Sequence, residues 1–116
     1  IAIIKGFISS YNEGNLITLD SVIHEPVNFI KMDIEGNEWD GLRGAVKVLQ
    51  ISDDIKLAIC AYHSDFDQEL IESFLGKHNF EFESSSGYMW FPTKLRQTYV
   101  STSLNRGIIR ACKPQK

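Results

Sequence analysis

Only two cysteines, Cys60 and Cys112, and three prolines occur among 116 residues. Neither cysteine forms part of a Cys-x-x-Cys pair, so a structural zinc site is not expected. Both sit in apolar company, which predicts buried free thiols in a reducing compartment; a Cys60–Cys112 bridge would need their strands to be neighbours. No apolar run approaches the ~20 residues that span a bilayer, so no membrane partner is expected. Ile1 opens directly into sequence that reads as structure, so no secretory leader is expected. The expected location is cytoplasmic, and the chain reads as a piece of a longer protein. A basic excess is missing as well. Twelve Lys and Arg face 15 Asp and Glu, for a net charge of −3. The cations are scattered, so a nucleic-acid partner is not expected.

What remains is ordinary globular composition, 43% hydrophobic and 23% charged, in a length that suits one core. Residues Ile1–Ile8 are β-branched and aromatic and predict a strand, followed by a polar loop over Ser9–Asn15 and a short apolar stretch at Leu16–Leu19. Asp20 is placed to cap a brief helical turn that Pro26 ends. Val27–Ile34 is the clearest strand, with Phe29, Lys31 and Asp33 on one face and Ile30, Met32 and Ile34 on the other. Gly36 stops it. Trp39, Leu42, Ala45, Val46 and Leu49 then fall at helical spacing, predicting a helix from about Glu38 to Gln50 despite Gly41 and Gly44.

Asp53 and Asp54 mark a turn. Lys56–Tyr62 is nearly all apolar, as a strand covered on both faces would be. Ser64 or Asp65 caps a second helix, whose stripe is Phe66, Leu70, Ile71, Phe74 and Leu75. Phe80–Glu83 and Tyr88–Phe91 read as strands, possible partners in an antiparallel edge. Thr93–Asn105 reads as a long loop and Gly107–Cys112 as a final strand. Strand, helix, strand, helix, strand predicts an open α/β sheet with right-handed crossovers.

In such sheets ligands bind at the carboxyl ends of the strands. Two strands here end in polar residues, one through Asp33 and Glu35 and the next through His63. If the strands are neighbours, these three side chains converge on one rim, where they can abstract a proton, hold a cation or orient a hydroxyl. Simpler roles compete. Glu35 and Glu38 lie at a helix N-terminus, which favours negative charge by ~0.3–1 kcal/mol whatever the function. Lys31 could pair with Asp33 on their shared face, and His63 could bond to backbone. Two carboxylates and an imidazole would suit a hard divalent cation, but the spacing matches no metal motif, so no metal is expected. Trp39 reads as core, and so does the Tyr88-Met89-Trp90-Phe91 run, which could alternatively wall an acceptor pocket.

The segment Val27-Asn28-Phe29-Ile30-Lys31-Met32-Asp33-Ile34-Glu35-Gly36-Asn37-Glu38 resembles the FkbM family of S-adenosylmethionine-dependent methyltransferases, whose Lys-x-Asp-x-Glu-Gly strand end precedes a Glu and a helix with a Leu-x-Gly-Ala step. Leu42-Arg43-Gly44-Ala45 matches that step. Leu19-Asp20, Tyr62-His63 and Arg106–Ala111 extend the likeness over about Leu16 to Lys113. The resemblance implies the C-terminal half of a Rossmann-like class I methyltransferase fold, mostly parallel with an antiparallel edge strand. Residues 1–116 would then be one partial domain, lacking the N-terminal donor-binding half.

It further implies S-adenosylmethionine as cofactor and O-methylation of a hydroxyl acceptor, a small molecule or glycan such as a sugar or polyketide. Asp33 and Glu35 would face the donor's methionine end and the acceptor. His63 or Asp33 would be the catalytic base, with Glu35 orienting the acceptor. The family's Gly-rich donor loop has no counterpart, since none of the eight glycines forms Gly-x-Gly. An incomplete sheet would leave an edge open to self-association. Two other classes fit the same residues: a non-catalytic α/β interaction module, and a metal-dependent hydrolase using the Asp33/Glu35/His63 rim.

Overall fold

The computed structural model describes residues 1–63, 67–92 and 102–115, with backbone only for 88–92 and 102–106. Its centre is a four-stranded sheet made of β3 (Phe29–Met32), β4 (Lys56–Cys60), β8 (Ile108–Cys112) and β5 (Glu81–Ser84), in that spatial order. Strands β3 and β4 pair in parallel, with Met32 opposite Ile59. Strand β8 runs antiparallel to both neighbours, with Ile59 opposite Ile109 and Phe82 opposite Ala111. The reversed strand therefore lies inside the sheet, not at its edge. Two small sheets accompany the main one: β1 (Phe7–Ile8) with β2 (Leu16–Ile17) in parallel, and β6 (Tyr88–Pro92) with β7 (Thr102–Arg106) antiparallel.

Alternation along the strands decides which face is covered. Met32, Leu57, Ile59, Ile109 and Ala111 point to one side and are buried there with Leu42, Leu49, Ile71, Phe74 and Leu75. Those last five come from α2 (Glu38–Arg43), α3 (Val46–Ile51) and α4 (Asp67–Lys77), so these helices cover that face. The opposite face presents Phe29, which is 60% exposed, together with exposed Lys31, Lys56, Glu81, Glu83 and Arg110. Strand β4 was expected to be covered on both faces; among the described residues one face is covered throughout, while on the other Lys56 is exposed, Ala58 half-buried and Cys60 buried.

Several elements differ from the sequence reading for identifiable reasons. The expected strand over Ile1–Ile8 is regular only at Phe7–Ile8. Phe80–Glu83 and Tyr88–Phe91 do not pair with each other; β5 joins β8 and β6 joins β7. Part of the expected 93–105 loop is strand β7, while residues 93–101 lie outside the described residues. So do Ser64, Asp65 and Phe66, the expected start of the second helix.

The helix expected from Glu38 to Gln50 breaks at Gly44–Ala45. A Cβ on Gly44 would overlap the backbone oxygen of Ser9, so this turn is where the N-terminal segment docks. Asp20 does not cap its own turn, α1 (Leu19–Val22), because the Thr18 side chain does so by accepting from Ser21 N–H. Asp20 instead accepts from Lys47 N–H (3.1 Å) and Val48 N–H (2.9 Å), capping the restarted helix α3. Cys60 and Cys112 are free. Their strands are neighbours, but Lys56 faces Cys112 and Cys60 faces Ile108, so the sulfurs lie at opposite ends of the ladder. No helix among the described residues is long and apolar enough to cross a membrane.

Candidate active site

Parallel pairing of β3 and β4 puts their carboxyl ends side by side. Strand β3 leads into Asp33, Ile34 and a tight turn at Glu35 (φ 57°) and Gly36 (φ 97°), after which α2 begins at Glu38. Left-handed backbone at a non-glycine residue costs about 1–2 kcal/mol. The Glu38 carboxylate offsets that cost by folding back over the turn, accepting from Ile34 N–H through Oε1 (2.8 Å) and from Gly36 N–H through Oε2 (3.0 Å). Asn37, the residue before the helix, makes no side-chain cap, so Glu38 takes over the pinning of this junction. A Cβ at Gly36 would touch the Cβ of His63 at 3.6 Å, which shows how closely the two strand ends approach.

The three expected site residues come together. His63 Nε2 stands 3.9 Å from Asp33 Oδ1 and 3.7 Å from Glu35 Oε2. Its other nitrogen, Nδ1, is 3.3 Å from Glu38 Oε1 but not aligned as a hydrogen bond. Exposure grades outward: Glu38 is 1% exposed, His63 16%, Asp33 39% and Glu35 89%. One imidazole is thus ringed by three carboxylates, and among the described residues no Lys or Arg forms an ion pair with any of them. Lys31 and Asp33 do not pair. Asp33 Oδ1 instead accepts from the Tyr62 hydroxyl at 3.0 Å. The Tyr62 ring lies against His63 with centroids 4.2 Å apart.

That hydrogen bond, with burial and the neighbouring Cys60 adding to it, pushes the Tyr62 phenol well above its ordinary value of 10.0. A phenol stabilised in its protonated form contributes fully below pH 10 and loses that contribution as pH rises through the higher folded value. In an absorbance titration, the difference between wild type and Tyr62→Phe should show this phenol still protonated at about pH 11, where a free tyrosine is mostly ionised. Ionisation near the free value would show that the Asp33 contact does not persist in solution.

Asp33, Glu38 and His63 each offer a donor atom within 4.8 Å of the other two. The set fits a cation poorly. Both Glu38 oxygens already accept backbone N–H groups, and the ring nitrogen nearest Glu38 is not the one nearest Asp33. The rim is also open. Concavities of about 620 Å³, beside Asp53 and His78, and 630 Å³, on the exposed sheet face at Phe29 and Arg110, lie elsewhere.

Residues 2–83 match the family model of the methyltransferase FkbM domain, a span that holds the whole rim. The chain belongs to the FkbM methyltransferase family. The FkbM match begins well before Leu16, so the β1–β2 segment is part of the family pattern, while β8 lies beyond its end. The fold is also similar to the crystal structure of methyltransferase FkbM from Methylobacillus flagellatus KT, with a TM-score of 0.57 and 24% identity over 84% of this chain. This chain spans 23% of that one. No match was found among curated proteins.

Two members of the FkbM rim escaped the sequence reading, Glu38 and Tyr62. Glu38 was visible only as a charge at a helix start, because its role depends on the left-handed turn before it. Tyr62 precedes His63 and gave no signal beyond its place at a strand end. Trp39 behaves as expected, packing edge-on against Phe74 at 5.7 Å beside the core. The side chains of Tyr88, Trp90 and Phe91 lie outside the described residues.

Proposed function

We propose that residues 1–116 form the C-terminal half of a Rossmann-like, S-adenosylmethionine-dependent methyltransferase domain that methylates a hydroxyl acceptor, a small molecule or glycan. The observation that carries this reading is the convergence of Asp33, Glu35 and His63 at the carboxyl ends of two parallel strands. The β3-β4-β8-β5 sheet with β8 reversed supports the fold, since these strands resemble the fourth to seventh of a class I sheet. Coverage of 23% of the Methylobacillus chain agrees with a donor-binding half supplied by other residues, which would also cover the exposed face at Phe29.

The residues present fit the donor's methionine end. That end carries a sulfonium and an ammonium, and Asp33 and Glu35 offer carboxylates unpaired with any Lys or Arg among the described residues. When bound, the donor supplies a methyl carbon that accepts an oxygen electron pair as the sulfur–carbon pair departs onto sulfur. His63 takes the acceptor hydroxyl proton at Nε2, and Asp33 stabilises the imidazolium that results. Glu35, the most exposed of the three, orients the acceptor. A positioned base contributes about 10²–10⁴-fold, and holding the reactants in line contributes up to ~7–11 kcal/mol.

The test is radiolabelled methyl transfer by the intact enzyme. His63→Gln should lower kcat by about 10²–10⁴-fold while leaving donor affinity in place. Undiminished kcat in that variant would rule out His63 as the base. Tightening of the fold by Mn²⁺, reversed by chelation, would instead favour metal-dependent chemistry at this rim.

A further inference from the structure

Among the described residues Glu38 is the only fully buried acid, and the transfer step proposed above gives it no task. An ionised carboxylate withdrawn from water is costly unless it is fully bonded. Among the described residues no Lys or Arg pairs with it; its neighbours are the N–H groups of Ile34 and Gly36, which donate to it, and Nδ1 of His63 at 3.3 Å. We infer that Glu38 is a positioning residue, whose carboxylate fixes the Glu35–Gly36 turn and keeps the proton of His63 on Nδ1, leaving Nε2 bare toward Asp33, Glu35 and the acceptor. The inference rests on the reading of His63 as the base of methyl transfer.

The turn before the helix is one thing that Glu38 holds. Glu35 and Gly36 hold successive left-handed conformations, at φ 57° and 97°. The N–H groups of Ile34 and Gly36, on either side of Glu35, donate to the two oxygens of the Glu38 side chain. Removing the Glu38 carboxylate therefore frees Glu35 from its place beside His63 Nε2.

The imidazole is the other. His63 Nδ1 is buried, and Glu38 Oε1 lies 3.3 Å from it. An ionised carboxylate accepts and cannot donate, so the partner it favours is Nδ1–H. The hydrogen bond made by one ring nitrogen sets the state of the other. Asp33 and Glu35 are acceptors too, but they stand farther off, at 3.9 and 3.7 Å from Nε2, and are far more exposed than Glu38, so the buried carboxylate decides and Nε2 keeps its lone pair. A base needs that lone pair free. The 3.3 Å contact is not aligned as a hydrogen bond in this structure; proximity and shared burial are what make Glu38 the partner of Nδ1.

Long-range ¹H–¹⁵N correlation spectra of the intact enzyme read the tautomer directly, with His63 assigned by its disappearance in His63→Gln. In wild type the neutral ring should carry its proton on Nδ1. A ring protonated mainly on Nε2 would overturn the inference, and this result needs no Glu38 variant to fold. In Glu38→Ala the proton should move to Nε2, the form a free imidazole prefers; an unchanged tautomer would likewise overturn it. In the intact enzyme, Glu38→Ala should lower kcat by about 10²–10⁴-fold, and the donor KM should rise as well, because Glu35 loses its place. If the tautomer behaves as stated but kcat is untouched, it is the role of His63 as base that falls. If the tautomer is wrong while His63→Gln still abolishes transfer, only the role of Glu38 falls.

Discussion

Asp33→Asn should reduce methyl transfer by the intact enzyme by about 10²–10⁴-fold while the protein stays folded. The substitution preserves shape and leaves an oxygen to accept from Tyr62, whose hydroxyl donates to Asp33 Oδ1 at 3.0 Å. What it removes is one negative charge next to His63 Nε2. A carboxylate beside a general base stabilises the imidazolium formed as the proton moves, and a neutral amide does not. Asp33 is 39% exposed, so little packing is lost, and a stability change within about 0.5 kcal/mol is expected. Kinetics and a melting curve on the same preparation check both halves. Retained turnover would remove Asp33 from the chemistry, and a collapsed melting temperature would give it a structural role instead.

Ile59→Ala should be the most damaging single truncation in the sheet. Ile59 is fully buried on β4, with Met32 and Ile109 as its cross-strand neighbours. Deleting such a side chain from a packed core costs about 2–5 kcal/mol, because the surrounding residues relax only partly into the cavity. Strand β4 also carries His63 just past its end, so loosening it displaces the imidazole from the β3 carboxylates. Urea unfolding should show a lower midpoint at unchanged slope. A midpoint shift worth less than about 1 kcal/mol would mean that β4 is not the centre of the core.

The rim was legible from sequence because its logic is local. Val27–Ile34 alternates cleanly, and two strand ends carrying Asp33, Glu35 and His63 need only be parallel neighbours to meet. Features set by distant contacts were not legible. Gly44 and Ala45 lie in a pattern that reads as continuous helix, yet Ser9 packs against Gly44, and Asp20 restarts the helix from well over twenty residues away. Strand β8 has an ordinary strand sequence, and nothing within it says that it inserts between β4 and β5. Residues 102–105 are polar apart from Leu104 and read as loop, because a two-stranded ribbon imposes little pattern. Glu38 carried its signal in a turn conformation that only coordinates reveal.

The whole account depends on this acidic strand end being where the methyl donor is held. Calorimetric titration of S-adenosylmethionine into the intact enzyme and into its Asp33→Asn/Glu35→Gln double variant tests that claim most directly. The account predicts saturable binding to wild type and at least about tenfold weaker binding to the variant, the loss of about 1.4 kcal/mol or more from two carboxylates facing a cationic ligand. Equal affinity in the two proteins, or none in wild type, would contradict it.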